Sequence, residues 1–222
     1  MKIYCASDLH IGYEHTYYPV VIELFEEVRK NADRLILCGD VLDLWRCPIE
    51  DIQKKNETKE VFEALLSTTE KKETTYVWGN HDYMVEKMLK KNNIEIKAKI
   101  SDDFVLDNIY FCHGWRFDVQ QRFAHFLYGW LVTRFPYLYQ VFFKTPFALK
   151  EEEEKYASLS ENIHDEAREF IKRKEIDYLV MGHTHDPLED GKLIDCGDMV
   201  DSLSYVIIED GQPRIERISR EG

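Results

Sequence analysis

The feature that most constrains this chain is a series of short apolar runs, each too brief for a buried helix and each followed by polar, metal-capable side chains. Lys2 to Ala6 leads into Ser7-Asp8-Leu9-His10, Arg34 to Cys38 into Gly39-Asp40-Val41-Leu42-Asp43, and Thr74 to Trp78 into Gly79-Asn80-His81-Asp82. Ile109 to Cys112 is followed by His113-Gly114, and Tyr178 to Met181 by Gly182-His183-Thr184-His185. Amphipathic patterns at Pro19 to Lys30, Lys59 to Leu66 and Tyr83 to Lys90 lie between several of these runs. This alternation predicts an α/β protein. In such sheets ligands gather outside the carboxyl ends of the strands, so the five loops, with five of the chain's eight histidines, can converge on one volume. Lys192 to Asp195, Tyr205 to Glu209 and Arg214 to Ile218 read as consecutive strands, with Asp210 to Pro213 as the last turn, which predicts mixed sheets.

At 222 residues and 44% apolar, the chain is sized for one single-core domain, residues 1–222, and it carries no low-complexity tract. A net charge of −13 argues against broad nucleic-acid binding, so an anionic substrate requires a local reversal of sign. Met1-Lys2-Ile3-Tyr4-Cys5 opens without a charged leader or an apolar signal region. The eleven uncharged residues between Arg122 and Arg134 fall short of the roughly 20 needed to span a bilayer. Five widely spaced cysteines with no CxxC pair read as thiols of a reducing compartment, and the expected location is cytoplasmic.

Carboxylate oxygen, imidazole nitrogen and amide oxygen together suit a borderline divalent ion, with Mn foremost and Fe, Zn or Co as alternatives. Seven candidate ligands among these loops exceed the needs of one tetrahedral ion. A carboxylate can bridge two ions about 3.5–4 Å apart, which makes two the natural count. Two such ions with the ionised Asp8 and Asp40 leave a centre of about +2, the required reversal of sign.

Taken in order, Asp8-x-His10, Gly39-Asp40-x-x-Asp43, Gly79-Asn80-His81-Asp82, His113-Gly114 and Gly182-His183-x-His185 resemble the signature of the calcineurin-like metallophosphoesterases. The resemblance implies a four-layer α/β/β/α sandwich of two mixed sheets around a dinuclear metal centre. It implies that Asp8, His10 and His185 hold one ion, that Asn80, His113 and His183 hold the other, and that Asp40 bridges them. It further implies that His81 faces the scissile group and protonates the leaving oxygen, with Asp82 suited to orient it. Asp43 is expected to orient a ligand or loop, and His15, His125 and His164 to be surface or core residues. Arg116, two residues beyond Gly114, is expected to clamp a substrate phosphate, with Arg46 as a second candidate.

Between Gly114 and Leu149 lie 12 of the 29 aromatic residues, with Arg116, Arg122, Arg134 and Lys144 against only Asp118. The stretch predicts a helical cap insertion at about 115–160, similar in position and character to the lid of the UDP-diacylglucosamine hydrolases, which cleave a nucleotide-lipid pyrophosphate. Trp115 and His81 stand where that family usually has an acidic residue and an arginine. The acidic run Glu151 to Glu154 reads as the start of a solvated helix reaching towards Lys174. The expected activity is hydrolysis of a phosphodiester or pyrophosphate bond in an amphiphilic or nucleotide-linked lipid, the aromatic segment serving peripheral membrane contact, homodimerisation, packing as a second small core, or stacking of nucleotide bases. The alternatives are a nuclease or soluble nucleotide phosphodiesterase, and a non-catalytic scaffold.

Overall fold

A computed structural model describes residues 1–118 and 153–219. β1 (Lys2–Ala6), β2 (Arg34–Cys38), β6 (Ile109–Cys112) and β7 (Tyr178–Met181) fall on the apolar runs with the bounds read from sequence. β3 (Glu73–Val77), β9 (Leu193–Asp195), β10 (Ser204–Glu209) and β11 (Gln212–Arg217) match within two residues at either end. Three strands were not anticipated: β4 (Ala98–Ser101), β5 (Asp103–Leu106) and β8 (Leu188–Asp190). The helices are α1 (Tyr18–Asn31), the short α2 (Ile49–Ile52), α3 (Asn56–Lys71), α4 (Val85–Lys91) and α5 (Glu153–Lys174).

The first sheet has the order β11-β10-β1-β2-β3-β4, parallel from β1 to β4 and antiparallel across β1, β10 and β11. The second runs β5-β6-β7-β9-β8, with parallel β6, β7 and β9 flanked by antiparallel β5 and β8. Successive side chains of a strand leave opposite faces, and this period of two separates the layers. Ile3, Cys5, Ile36, Cys38, Val77, Phe111, Val180 and Ile194 form a buried layer between the sheets. Tyr4, Ala6, Leu35, Leu37 and Tyr76 point the other way, into a core shared with Val21, Leu24 and Phe25 of α1 and Val61, Phe62 and Leu65 of α3. Tyr110, Cys112, Leu179 and Met181 meet Ile163, Ala167 and Ile171 of α5 on the outer face of the second sheet. The protein is therefore an α/β/β/α sandwich of two mixed sheets.

α1 starts at Pro19 in its first turn, where the missing amide proton costs nothing, and ends with Arg29 and Lys30 at the negative end of the helix dipole. The last hairpin differs from the expected four-residue turn. Only Asp210 and Gly211 turn, at φ 52° and 77°, while Gln212 and Pro213 already pair with Glu209 and Ile208. A two-residue turn with both residues left-handed matches the twist of a hairpin, and Pro213 is tolerated because β11 is an edge strand. The expected cap at 115–160 lies mostly outside the described residues. Of its ends, Gly114–Arg116 forms a 3-10 turn, Phe117 is buried in the outer core, and residues from Glu153 onward belong to α5. Among the described residues no helix is long and apolar enough to cross a membrane. All five cysteines are free and buried.

Candidate metal centre

The loops after β1 and β2 run side by side, with Asp8 N–H donating to Gly39 O, His10 N–H to Asp40 O and Ile11 N–H to Val41 O at 2.9–3.0 Å. The loop after β6 joins that after β7 through Gly114 N–H to Gly182 O at 3.3 Å, and His183 N–H donates to Asp8 Oδ2 at 2.8 Å, so loops from both sheets meet at one edge. Gly39, at φ 99°, lies where an added Cβ would come within 2.5 Å of the His113 ring. Only glycine permits that conformation and that approach.

Asp8, His10 and His185 converge, as do Asp40, His113 and His183, while Asp40 also stands with His10 and His81. Asp8 Oδ1 lies 3.6 Å from His10 Nε2 and 3.3 Å from His185 Nε2, and the two imidazole nitrogens are 3.3 Å apart. Ligand bonds of about 2.0–2.2 Å in a tetrahedron imply ligand-to-ligand edges of about 3.3–3.6 Å. On the other side His113 Nε2 is 3.3 Å from Asp40 Oδ2 and 4.0 Å from Asp8 Oδ1. Asp8 Oδ1, Asn80 Oδ1 and His113 Nε2 are buried without a hydrogen-bond partner. Orphaned buried acceptors are rare and call for an explanation, and a cation supplies one here. The donor set and its spacing therefore fit divalent ions.

The backbone marks the same residues. Asp8, His10, Asp40, His183 and His185 all have positive φ, from 43° to 92°. Side chains rarely adopt this region, and such strain persists only where the surroundings over-determine it.

Each imidazole is oriented from behind. His113 Nδ1 donates to Cys38 O at 2.8 Å, which fixes a proton there and makes Nε2 the nitrogen an ion would take once the ring is neutral. His10 Nδ1 lies 3.3 Å from Asp43 Oδ2, and His185 Nδ1 is 3.6 Å from Asp198 Oδ2. His183 Nε2 faces Asp118 Oδ2 at 3.5 Å, so Nδ1 is its remaining nitrogen. Burial alone would lower His10, but contacts with Asp43 and Asp8 push it up to about 10. His113, likewise against burial, is pushed up to about 9 by Asp40 and Asp8. Burial alone would raise Asp8, Asp40 and Asp43, but the neighbouring histidines hold all three below the ordinary carboxylate range. Without an ion, the cluster shares its charge as imidazolium-carboxylate pairs.

His81 stands beside this cluster, its Nε2 3.8 Å from Asp40 Oδ2 and its backbone N–H donating to Asp40 Oδ1 at 2.8 Å. Trp45 stacks on its ring at 3.9 Å, and Nδ1 is 3.1 Å from Asp43 Oδ1. Burial lowers its pKa from the ordinary value. Asp43, not Asp82, is the carboxylate that orients His81. Asp82 turns into the core, where its two oxygens accept from Val41 N–H, Leu42 N–H, Tyr76 O–H and Gly79 N–H and lock two loops together. Burial first and Asp40 second push its carboxyl up to about 6.

Arg116 points away from the centre, to Asp103 Oδ2, Tyr110 Oη and Asp102 O, so its guanidinium is committed to the β5 edge instead of a substrate phosphate. Arg46 remains close, paired with Asp43 and lying over the Tyr13 ring at 4.6 Å. His15 is exposed, His164 is buried, and His125 lies outside the described residues. Asp118 and Asp198 were missed. Asp198 extends the strand-end pattern, since Cys196-Gly197-Asp198 follows β9 as the other motifs follow their strands.

A cluster of carboxylates and imidazoles that fits divalent ions thus stands at the carboxyl edges of two mixed sheets, and the match to a family model makes the protein a metal-dependent phosphoesterase. The chain belongs to the calcineurin-like phosphoesterase family, whose model matches residues 1–187. It is similar to a UDP-2,3-diacylglucosamine hydrolase of Vibrio atlanticus, at 23% identity over 208 residues, covering 84% of this chain and 82% of that protein. Among solved structures it is similar to a phosphoesterase of E. coli, at 19% identity and TM-score 0.47, covering 95% of this chain and 89% of that one. A dimetal phosphatase of Danio rerio is similar at 11% identity and TM-score 0.48, covering 97% and 95%.

Proposed function

We propose that this protein hydrolyses a phosphodiester or pyrophosphate bond in an amphiphilic, nucleotide-linked lipid, using two divalent ions, of which Mn suits the donors best. The observation that carries this reading is the pair of ligand groups joined through Asp40 and drawn from both sheets. Asp8, His10 and His185 would hold one ion, Asn80, His113 and His183 the other, and Asp40 both. When bound, such ions neutralise phosphoryl oxygens and bring the pKa of a shared water towards neutrality.

The chain's own residues do the rest. Asp43 accepts the Nδ1 proton of His81, so His81 exchanges its second proton at Nε2, the atom available to the leaving oxygen. Trp45 and Asp43 together fix the plane of that ring. Arg46, at the rim, is the remaining candidate for contact with substrate phosphate. The lipid part of the reading is supported by the name of the Vibrio relative and by the aromatic, cationic stretch that follows Gly114. That composition suits acyl chains and anionic headgroups, and a cytoplasmic protein touching a membrane surface would use it so.

The test compares kcat/KM for a small aryl phosphodiester, cyclic nucleotides, short DNA, and UDP-linked glycolipids of increasing acyl length. The expected result is activity on the small diester that rises steeply with acyl length among the lipids. Preference for soluble nucleotides or DNA would replace the lipid reading, and a metal-loaded protein inert on every substrate would replace the catalytic one.

A further inference from the structure

Thr184 separates two histidines that belong to different ligand groups, His183 with Asp40 and His113, and His185 with Asp8 and His10. Both neighbours have left-handed backbone, at φ 92° and 61°. A loop bent twice in this way needs an external hold. It has one. Thr184 Oγ1 donates to Asp195 Oδ2 at 2.8 Å and accepts from Asp186 N–H at 3.1 Å. Asp195 closes β9 and is fully buried. Its Oδ2 also receives His164 Nε2 of α5 at 3.2 Å, and its Oδ1 accepts Gly197 N–H at 3.0 Å, next to the Asp198 that faces His185. His164 is 2% exposed and touches no candidate ligand, so neither it nor Asp195 serves the chemistry directly.

We infer that Asp195, seated by His164, is a positioning residue that sets the spacing of His183 and His185 through Thr184. The inference rests on the reading that these histidines bind the ions. It extends that reading by placing both ions under the control of one hydrogen bond. Losing that bond shifts a ligand of each ion, whereas losing a single ligand affects chiefly its own ion.

The decisive variant is Thr184→Val, which keeps the branched shape and removes the hydroxyl, with Thr184→Ser as the conservative rescue. Mn titration by calorimetry, the visible spectrum of the Co(II)-loaded protein and the melting point of the chelated protein would be measured for each. The expected result is a roughly 10–100-fold loss of affinity at both sites in Thr184→Val, the usual scale for groups behind a ligand, with an altered Co(II) band. Thr184→Ser should return both towards wild type. Asp195→Ala, which removes the acceptor, repeats the test from the other end of the bond should Thr184→Val fail to fold. Unchanged Mn affinity and spectrum in a folded variant, beside a wild type that binds two ions, would overturn this inference alone. A wild type that binds no ion would overturn it together with the reading it rests on.

Discussion

The two ends of the same parallel strands could hardly differ more. At the carboxyl ends of β1, β2, β3 and β6 the charged and polar side chains of the cluster are buried and those after β7 half-buried, three acceptor atoms lack hydrogen bonds, and five residues sit in left-handed backbone. At the amino ends of β2, β3 and β4, Arg34, Lys72, Lys97, Lys99 and Phe104 line an open groove of about 630 Å³. There Arg34 pairs with Glu73, Lys97 pairs with Glu95, and Lys72 donates to Ala32 O. Positive φ near the amino ends of β6 and β7 falls on the Asp107-Asn108 hairpin and on Glu175 after α5, positions where turns and helix ends ordinarily use it. The groove is also charged, but its cations meet exposed carboxylates, a carbonyl or a ring face at an open surface. What distinguishes the cluster is charge held away from water on strained backbone, with donor atoms spaced to exchange their mutual pairing for ions.

The substitution that presses hardest on this contrast is Asp40→Ala. It should abolish phosphodiesterase activity and take metal content from two ions towards one or none, since Asp40 is the carboxylate placed between both groups. Elemental analysis after gel filtration checks it, and Lys97→Ala, in the groove, should leave both quantities unchanged. His81→Ala comes next. It should keep both ions and lose about 10²–10⁴-fold in kcat, the scale of acid/base assistance. Near-native turnover with two ions bound would remove His81 from the mechanism.

A smaller effect separates the ends by pH. In the metal-free protein His10 and His113 are pushed up to about 10 and 9, above the ordinary value near 6.5 that applies on unfolding. Groups raised in this way stabilise the fold fully below the unfolded value and lose that contribution as pH rises through the folded one. The chelated protein should therefore melt progressively lower from pH 7 to 10. Divalent ions, which need the deprotonated imidazoles, should flatten the profile. A chelated protein with a level melting point over that range would show that these pairs contribute no stability.

The sequence made legible what local pattern encodes. Buried five-residue runs such as Arg34–Cys38 announce a strand, and Gly-Asp or Gly-His immediately after them announces a loop with chemistry. β4, β5 and β8 escaped because they are short and partly exposed, so Ala98–Ser101 or Leu188–Asp190 has no apolar run to read. Contacts between distant residues were equally hidden. His164 meets Asp195 from 31 residues away, and Asp118 faces His183 across 65. Adjacency in sequence also misled. Asp82 follows His81, yet neighbouring side chains leave a tight turn in different directions, and it is Asp43, on another loop, that reaches the ring. Backbone strain at His183 has no signature in residue types, since histidine is not a residue a turn requires.

Asp82 therefore supplies the smallest and sharpest test. Its carboxylate receives four donors, three from two loops and one from β3, so Asp82→Asn keeps one oxygen for Tyr76, Val41 and Leu42 and turns an amide against Gly79 N–H. One lost bond and one opposed pair of donors should cost about 1–3 kcal/mol in urea unfolding of the chelated protein. The cost should also depend on pH. Because burial and Asp40 push the folded carboxyl up to about 6, above its unfolded value near 3.9, wild type gains stability as pH falls through that interval and the asparagine variant does not. The difference between the two proteins should accordingly be larger at pH 5 than at pH 7.5, while the titration of the metal cluster, common to both, cancels. A cost that grows with pH instead would mean that Asp82 acts through its charge, and would return it from the loop clamp to the chemistry beside His81.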